Sequence, residues 1–200
     1  KKIELKYFSN PRASGVRAIN LPPDNSDNLI GVEVLKPKQE ILLATKKGQA
    51  IKFDESEVRG MGRSSYGVTG IKLDKNDEVV GLEILNSKGT ILTISEKGYG
   101  KRSNIENYRK TGRAGKGVIN LKVSDKTGNI VKTITVENQD DIIVTTAKGM
   151  IIRTPGKQLR VMGRATQGVR IVKLQEGDKV TDVVKVVEKE EIINESQKEL

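Results

Sequence analysis

The chain has 200 residues, with 36 lysines and arginines against 26 acids, a formal net charge of +10, only 3% aromatic residues, and neither Cys, His nor Trp. Those absences exclude disulfide scaffolds, thiolate or imidazole zinc sites, and Ser–His–Asp or Cys–His catalysis. No apolar run reaches membrane-spanning length, and the positive charge points to an acidic polymer as partner.

In chain order, Lys1-Lys2 matches Lys101-Arg102, so the chain is expected to open inside a strand. Gly-Val pairs then recur at Gly15-Val16, Gly67-Val68, Gly117-Val118 and Gly168-Val169, with spacings of 52, 50 and 51. Each opens an apolar ladder, such as Val68, Ile71, Leu73 or Val118, Leu121, Val123. An Arg precedes each pair, at Arg12, Arg63, Arg113 and Arg164, and Lys-Gly pairs stand at Lys47-Gly48, Lys97-Gly98 and Lys148-Gly149. Three markers with one period of about fifty residues identify an internal repeat.

Within one period the residues predict four short strands: Gly67–Leu73, Val79–Leu85, Ile91–Ser95 and about Tyr99–Arg102. A polar turn at Asp74-Lys75-Asn76-Asp77, a hairpin at Asn86-Ser87-Lys88-Gly89 and a tight turn at Glu96-Lys97-Gly98 separate them. Runs rich in Val, Ile and Thr without a 3.6-residue period argue an all-β chain, and four strands per unit argue propeller-like blades. The count is three full periods and two halves: the halves are expected either to complete one blade across a closed ring or to leave about four blades' worth of a longer domain. The organisation expected is a β array over 1–187 followed by an acidic tail over 188–200, helical or disordered, with five acids and two lysines.

The charge is phased with the repeat. The windows 1–17, 46–63, 97–116 and 148–170 together carry a net +18, leaving −8 on the remainder. Radial stacking would gather that charge on one band. With few aromatics for base stacking and no recognition helix, such a band neutralises phosphates along a bent duplex and reads little sequence. The candidate phosphate contacts are Arg12, Lys47, Arg63, Lys101, Arg102, Arg109, Lys110, Arg113, Lys116, Arg153, Lys157, Arg160 and Arg164. The alternative from charge alone is a scaffold for an acidic protein surface. Gly112-Arg113-Ala114-Gly115-Lys116-Gly117 has the composition of a phosphate loop, but Lys110 and Gly117 occupy positions where that loop needs Gly and Ser/Thr. The tyrosines are expected to pack or to hydrogen-bond at the rim, and the acid pairs Asp77-Glu78 and Asp140-Asp141 to lie solvated in turns.

Met61-Gly62-Arg63-Ser64-Ser65-Tyr66-Gly67-Val68-Thr69-Gly70-Ile71-Lys72-Leu73 and Met162-Gly163-Arg164-Ala165-Thr166-Gln167-Gly168-Val169 carry a further signal. With Thr45-Lys46-Lys47-Gly48 and Glu96-Lys97-Gly98-Tyr99-Gly100-Lys101-Arg102, they resemble the C-terminal domains of bacterial DNA gyrase A subunits and, more loosely, those of topoisomerase IV. The Gln-Arg-Arg-Gly-Gly-Arg-Gly box of the gyrase branch has only an echo here, at Arg113–Gly117. The resemblance implies a β-pinwheel whose blades exchange strands and which wraps duplex DNA. It implies a non-catalytic domain whose partners are DNA and the rest of the gyrase A and B subunits, in the bacterial cytoplasm and associated with the nucleoid. No catalytic residue, metal or cofactor is expected in the domain, ATP and Mg2+ belonging to other parts of the holoenzyme. The acidic tail is expected to compete with DNA for the basic rim.

Overall fold

The computed structural model describes residues 1–24, 26–85 and 89–186, so the expected tail at 188–200 and the Asn86-Ser87-Lys88 turn lie outside the described residues. The strands are β1 Glu40–Thr45, β2 Gln49–Asp54, β3 Val79–Leu85, β4 Thr90–Ser95, β5 Tyr99–Asn104, β6 Val118–Ile119, β7 Ile130–Val136, β8 Asp141–Thr146, β9 Ile151–Pro155, β10 Val169–Arg170 and β11 Val180–Val186. They form three antiparallel sheets, in the orders β3-β1-β2-β6, β10-β5-β4-β7 and β11-β8-β9. The helical elements among the described residues are 3-10 turns, and none is long and apolar enough to cross a membrane.

Each sheet is built on a hairpin closed by a Lys-Gly pair. Gly48, Gly98 and Gly149 take φ of +98°, +76° and +83° and donate their amides to Thr45, Ser95 and Thr146. The tight turn reverses the chain where only glycine adopts that backbone without strain.

The blades are not closed within one period, and here the structure corrects the local reading. β3 pairs β1 of the first sheet and β4 pairs β7 of the second, so these two consecutive strands belong to different sheets. The Gly-Val segment is not the first strand of its own unit. β6 pairs β2 of the preceding sheet, and β10 pairs β5. The run Gly67–Leu73 forms no regular strand. The glycines make the exchange possible. Gly117 (φ +80°) and Gly168 (φ +74°) lie where a Cβ would meet the carbonyl oxygens of Ala50 and Gly100 at 2.3 and 2.4 Å. The close approach is therefore to a strand of another unit, which no local pattern reveals.

Three apolar clusters fill the spaces beside and between sheets. Ile41, Ile51, Phe53, Val58 and Ile71 pack on one side of the first sheet. Leu42, Ala44, Leu85, Ile91, Ile105 and Tyr108 lie between the first and second. Leu92, Ile94, Ile134, Val136, Ile142, Val144, Leu159 and Val172 lie between the second and third. Alternate residues of the central strands thus face different neighbours, so β4 is buried throughout. Between the sheets sits a satisfied polar network: the Tyr108 hydroxyl donates to Asn120 Oδ1 (2.6 Å), Thr93 Oγ1 donates to the same oxygen (3.1 Å), and Asn120 Nδ2 donates to Thr133 Oγ1 (3.2 Å). The acid pairs divide. Asp77 accepts the Lys47 amide in a turn, whereas Asp140 is buried and accepts the Glu137 amide, so solvation does not account for it.

Candidate nucleic-acid interface

The thirteen cations expected to meet phosphate fall into four structural situations. Lys101 and Arg102 are corrected outright. They are 0% and 3% exposed, because β5 lies inside its sheet with a neighbouring sheet on each face. The Lys101 ammonium donates to Ser103 Oγ (2.5 Å), and burial lowers its pKa to about 8. The Arg102 guanidinium donates to Thr90 Oγ1, Asn138 Oδ1 and the Gly156 carbonyl, joining the second sheet to the turn before the third unit's Leu159. A phosphate cannot reach either side chain without opening the core.

A second group grips backbone carbonyls. Arg113 donates through Nε to Glu57 O (2.9 Å) and through Nη1 to Thr69 O (2.8 Å). Arg164 repeats this on Asn107 O (2.9 Å) and Ile119 O (2.8 Å), and Arg63 donates through Nη1 to Arg17 O (3.2 Å). The acceptors Arg17, Thr69 and Ile119 each stand two residues after a glycine of the Gly-Val pairs. The recurrent Gly-Arg arginines therefore staple one unit to the turn and exchanged segment of the unit before it. Arg is suited to this because its planar fork addresses two acceptors at once. Lys47 likewise donates to Lys75 O (2.6 Å), as Lys148 does to Glu176 O (2.5 Å), tying the hairpin turn to the next polar turn.

The third group is ion-paired. Lys110 contacts Asp54 (2.8 Å) and Glu40 (3.5 Å), Lys116 contacts Asp74 (3.3 Å), and Arg153 contacts Asp141 (2.5 Å). The Lys110 ammonium holds the Asp54 carboxyl well below the usual carboxylate range. These pairs are at the surface and exchangeable, since exposed ion pairs contribute little.

The fourth group is exposed, with no side-chain hydrogen bond or ion pair among the described residues: Arg12, Arg109, Lys157 and Arg160. Two of these belong to a repeated set whose third member, Arg59, is not among the thirteen sequence candidates. Arg59, Arg109 and Arg160 occupy equivalent positions, each directly after a buried residue (Val58, Tyr108, Leu159) that closes a 3-10 turn in extended backbone. Extended backbone sends successive side chains to opposite sides, so anchoring one residue in the core turns its neighbour outward. The turn itself docks in parallel on the preceding unit, with Thr111 N donating to Lys52 O (2.9 Å) and Met162 N to Arg102 O (2.8 Å). Lys72, Lys122 and Lys173 form a second set by the same alternation, each following a buried Ile71, Leu121 or Val172, all exposed and without side-chain partners among the described residues. Their spacings of 50 and 51 match the repeat markers, and that signal was present in the sequence. The lysine set lies outside the windows of highest positive charge, among residues whose net charge is negative.

Comparison with known proteins agrees with this architecture. A family model described as "DNA gyrase C-terminal domain, beta-propeller" matches residues 1–36, 39–86, 89–137 and 140–186. The DNA gyrase A subunit of Halalkalibacterium halodurans is 51% identical over 98% of this chain and 23% of its own length. That of Chlamydia pneumoniae is 37% identical over 100% of this chain and 24% of its own length. The chain thus spans about a quarter of these curated relatives. Among solved structures, the C-terminal domain of DNA topoisomerase IV superposes with a TM-score of 0.85 at 28% identity, over 92% of this chain and 57% of that one.

Proposed function

The chain belongs to the DNA gyrase C-terminal domain family, and from that membership we propose that it binds duplex DNA without sequence preference and wraps it around a band of exposed cations. One observation supports this above the others: Arg59, Arg109 and Arg160 recur at equivalent positions with no protein partner among the described residues. Arg12, Lys157, Lys72, Lys122 and Lys173 extend the band, and the ion-paired Lys110, Lys116 and Arg153 join it by exchanging a carboxylate for a phosphate. The stapling arginines and Lys47 hold the units in register, and so set the curvature along which the free cations lie. Neutralised phosphates release counterions, and the elastic cost of bending, about 1–6 kcal/mol per 20–30 bp, is offset by the additional phosphates engaged.

In the whole protein the domain supports directional supercoiling by presenting wrapped DNA to the remainder of the gyrase A and B subunits, where ATP, Mg2+ and strand cleavage belong, in the bacterial cytoplasm and at the nucleoid. The acidic segment 188–200 competes with DNA for the cations, so a chain ending at 187 binds duplex more tightly. The test is duplex affinity against salt, together with the linking-number change of relaxed, ligated plasmid. Arg59→Glu, Arg109→Glu and Arg160→Glu combined should lower the salt slope by about 0.9 for each phosphate no longer neutralised. An unchanged slope, or no linking-number change with the unmodified chain, overturns the reading.

A further inference from the structure

Among the open clefts that the described residues form, two differ in charge. In the first, Lys38, Lys52 and Lys110 face Glu40, Asp54 and Glu106, and the charges cancel. In the second, Lys97, Lys126, Arg170 and Lys173 surround Tyr99 with Asp125 as the one acid in the lining. This cleft forms where the Lys97-Gly98 turn, β10 and the turn around Asp125 meet. Lys97 donates to the backbone carbonyl of Asp125.

The cleft is organised around Tyr99. Its ring carries the Lys126 ammonium at 5.3 Å and the Arg170 guanidinium at 5.5 Å from the centroid, and its hydroxyl oxygen accepts a hydrogen bond from Arg170 Nη2 at 3.0 Å. Two like charges are thus held near one another by a single aromatic ring, with no carboxylate paired to either among the described residues, while Lys173 stands exposed beside them. Cation–π contacts fix such groups without neutralising them. Tyr99 is only 9% exposed, so its face is not available for a base to stack on. The ligand that fits is therefore an anion that presents oxygens and no ring.

The arrangement is peculiar to the second unit. The positions equivalent to Tyr99 hold Gln49 and Met150, those equivalent to Lys126 hold Asn76 and Gly177, and that equivalent to Arg170 in the unit before is Ile119. The periodic cations repeat in every unit, but this cluster does not.

We propose that Lys126, Arg170 and Lys173, organised on Tyr99, form a phosphodiester-binding subsite that anchors the duplex at one point of the band. The inference rests on the DNA-binding reading, and makes one unit contribute more than its equivalents. At 0.1 M salt, removing one phosphate-binding cation should weaken duplex binding by roughly tenfold, with the salt slope falling by about 0.9.

The experiment measures affinity for a 30-bp duplex between 0.05 and 0.3 M salt, using the whole chain, for Lys126→Ala/Arg170→Ala/Lys173→Ala and for Tyr99→Phe. Tyr99→Phe keeps the ring and removes only the acceptor that orients Arg170, so it reports on the organisation without removing charge or core volume. The triple variant should lose about two to three from the slope, and Tyr99→Phe should bind several-fold more weakly at unchanged slope. A parallel titration of inorganic phosphate into the unmodified chain, followed by NMR at Tyr99 and Arg170, separates a duplex subsite from a site for free anions. Saturation by phosphate at micromolar concentration, with duplex binding unaffected in both variants, overturns the proposal in favour of a free-anion site. Full duplex affinity in the triple variant likewise overturns it and leaves the DNA-binding reading standing. Failure of the unmodified chain to bind duplex at any salt overturns both.

Discussion

Replacing Lys101 by Met should stabilise the protein at neutral pH and lose that advantage in alkali. Lys101 is fully buried on β5, its ammonium donates to Ser103 Oγ, and among the described residues no carboxylate pairs with it; the charge that acts on it is the Arg164 cation. Burial lowers its pKa from 10.5 to about 8, so between these values the unfolded chain binds more protons than the folded one. Stability therefore rises with pH through that window, and below pH 8 the whole cost is present. The difference corresponds to about 3 kcal/mol. Met removes it, less about 1 kcal/mol for the lost hydrogen bond, leaving a net gain of about 2 kcal/mol at pH 7. The equivalent positions, Ile51 and Ile152, are already aliphatic, so the fold accepts an apolar side chain there. Urea unfolding followed by circular dichroism at pH 7 and pH 10.5 measures the difference. A variant less stable than the parent at pH 7, or a gain that stays constant to pH 10.5, would refute the argument, because either means that Lys101 is not held as a desolvated cation.

Gly168→Ala should cost about 2–4 kcal/mol, from a left-handed backbone and a Cβ placed 2.4 Å from the Gly100 carbonyl oxygen, whereas Gly62→Ala, with nothing within 4 Å, should change the thermal midpoint little. Tyr108→Phe removes one donor to Asn120 Oδ1, which keeps Thr93, so the expected loss in denaturant unfolding is about 1–2 kcal/mol. Arg164→Lys keeps the charge but cannot reach both Asn107 O and Ile119 O with a fixed fork; stability should fall by about 1–2 kcal/mol while the salt slope of duplex binding is unchanged. A slope that fell by about 0.9 in this variant would mean that Arg164 also contacts phosphate.

What the sequence determined by itself was whatever repeats locally. The fifty-residue period, the hairpins closed at Gly48, Gly98 and Gly149, and the strands expected at Val79–Leu85, Ile91–Ser95 and about Tyr99–Arg102 follow from apolar runs and glycine turns that need no distant partner. The excess of positive charge on one half of each unit was legible for the same reason. Tertiary structure decided where the exchanged segments go, because the carbonyls that Gly117 and Gly168 approach belong to other units. It also decided which cations are free. Lys101 and Arg102 look like surface charge in a run of polar letters, yet the sheet encloses β5 on both faces. Arg113 and Arg164 are spent on carbonyls more than forty residues away, which leaves the unassuming Arg59, Lys72, Lys122 and Lys173 exposed. Composition counts a charge wherever it falls in the chain. Only packing determines whether that charge faces solvent, a carboxylate or the interior.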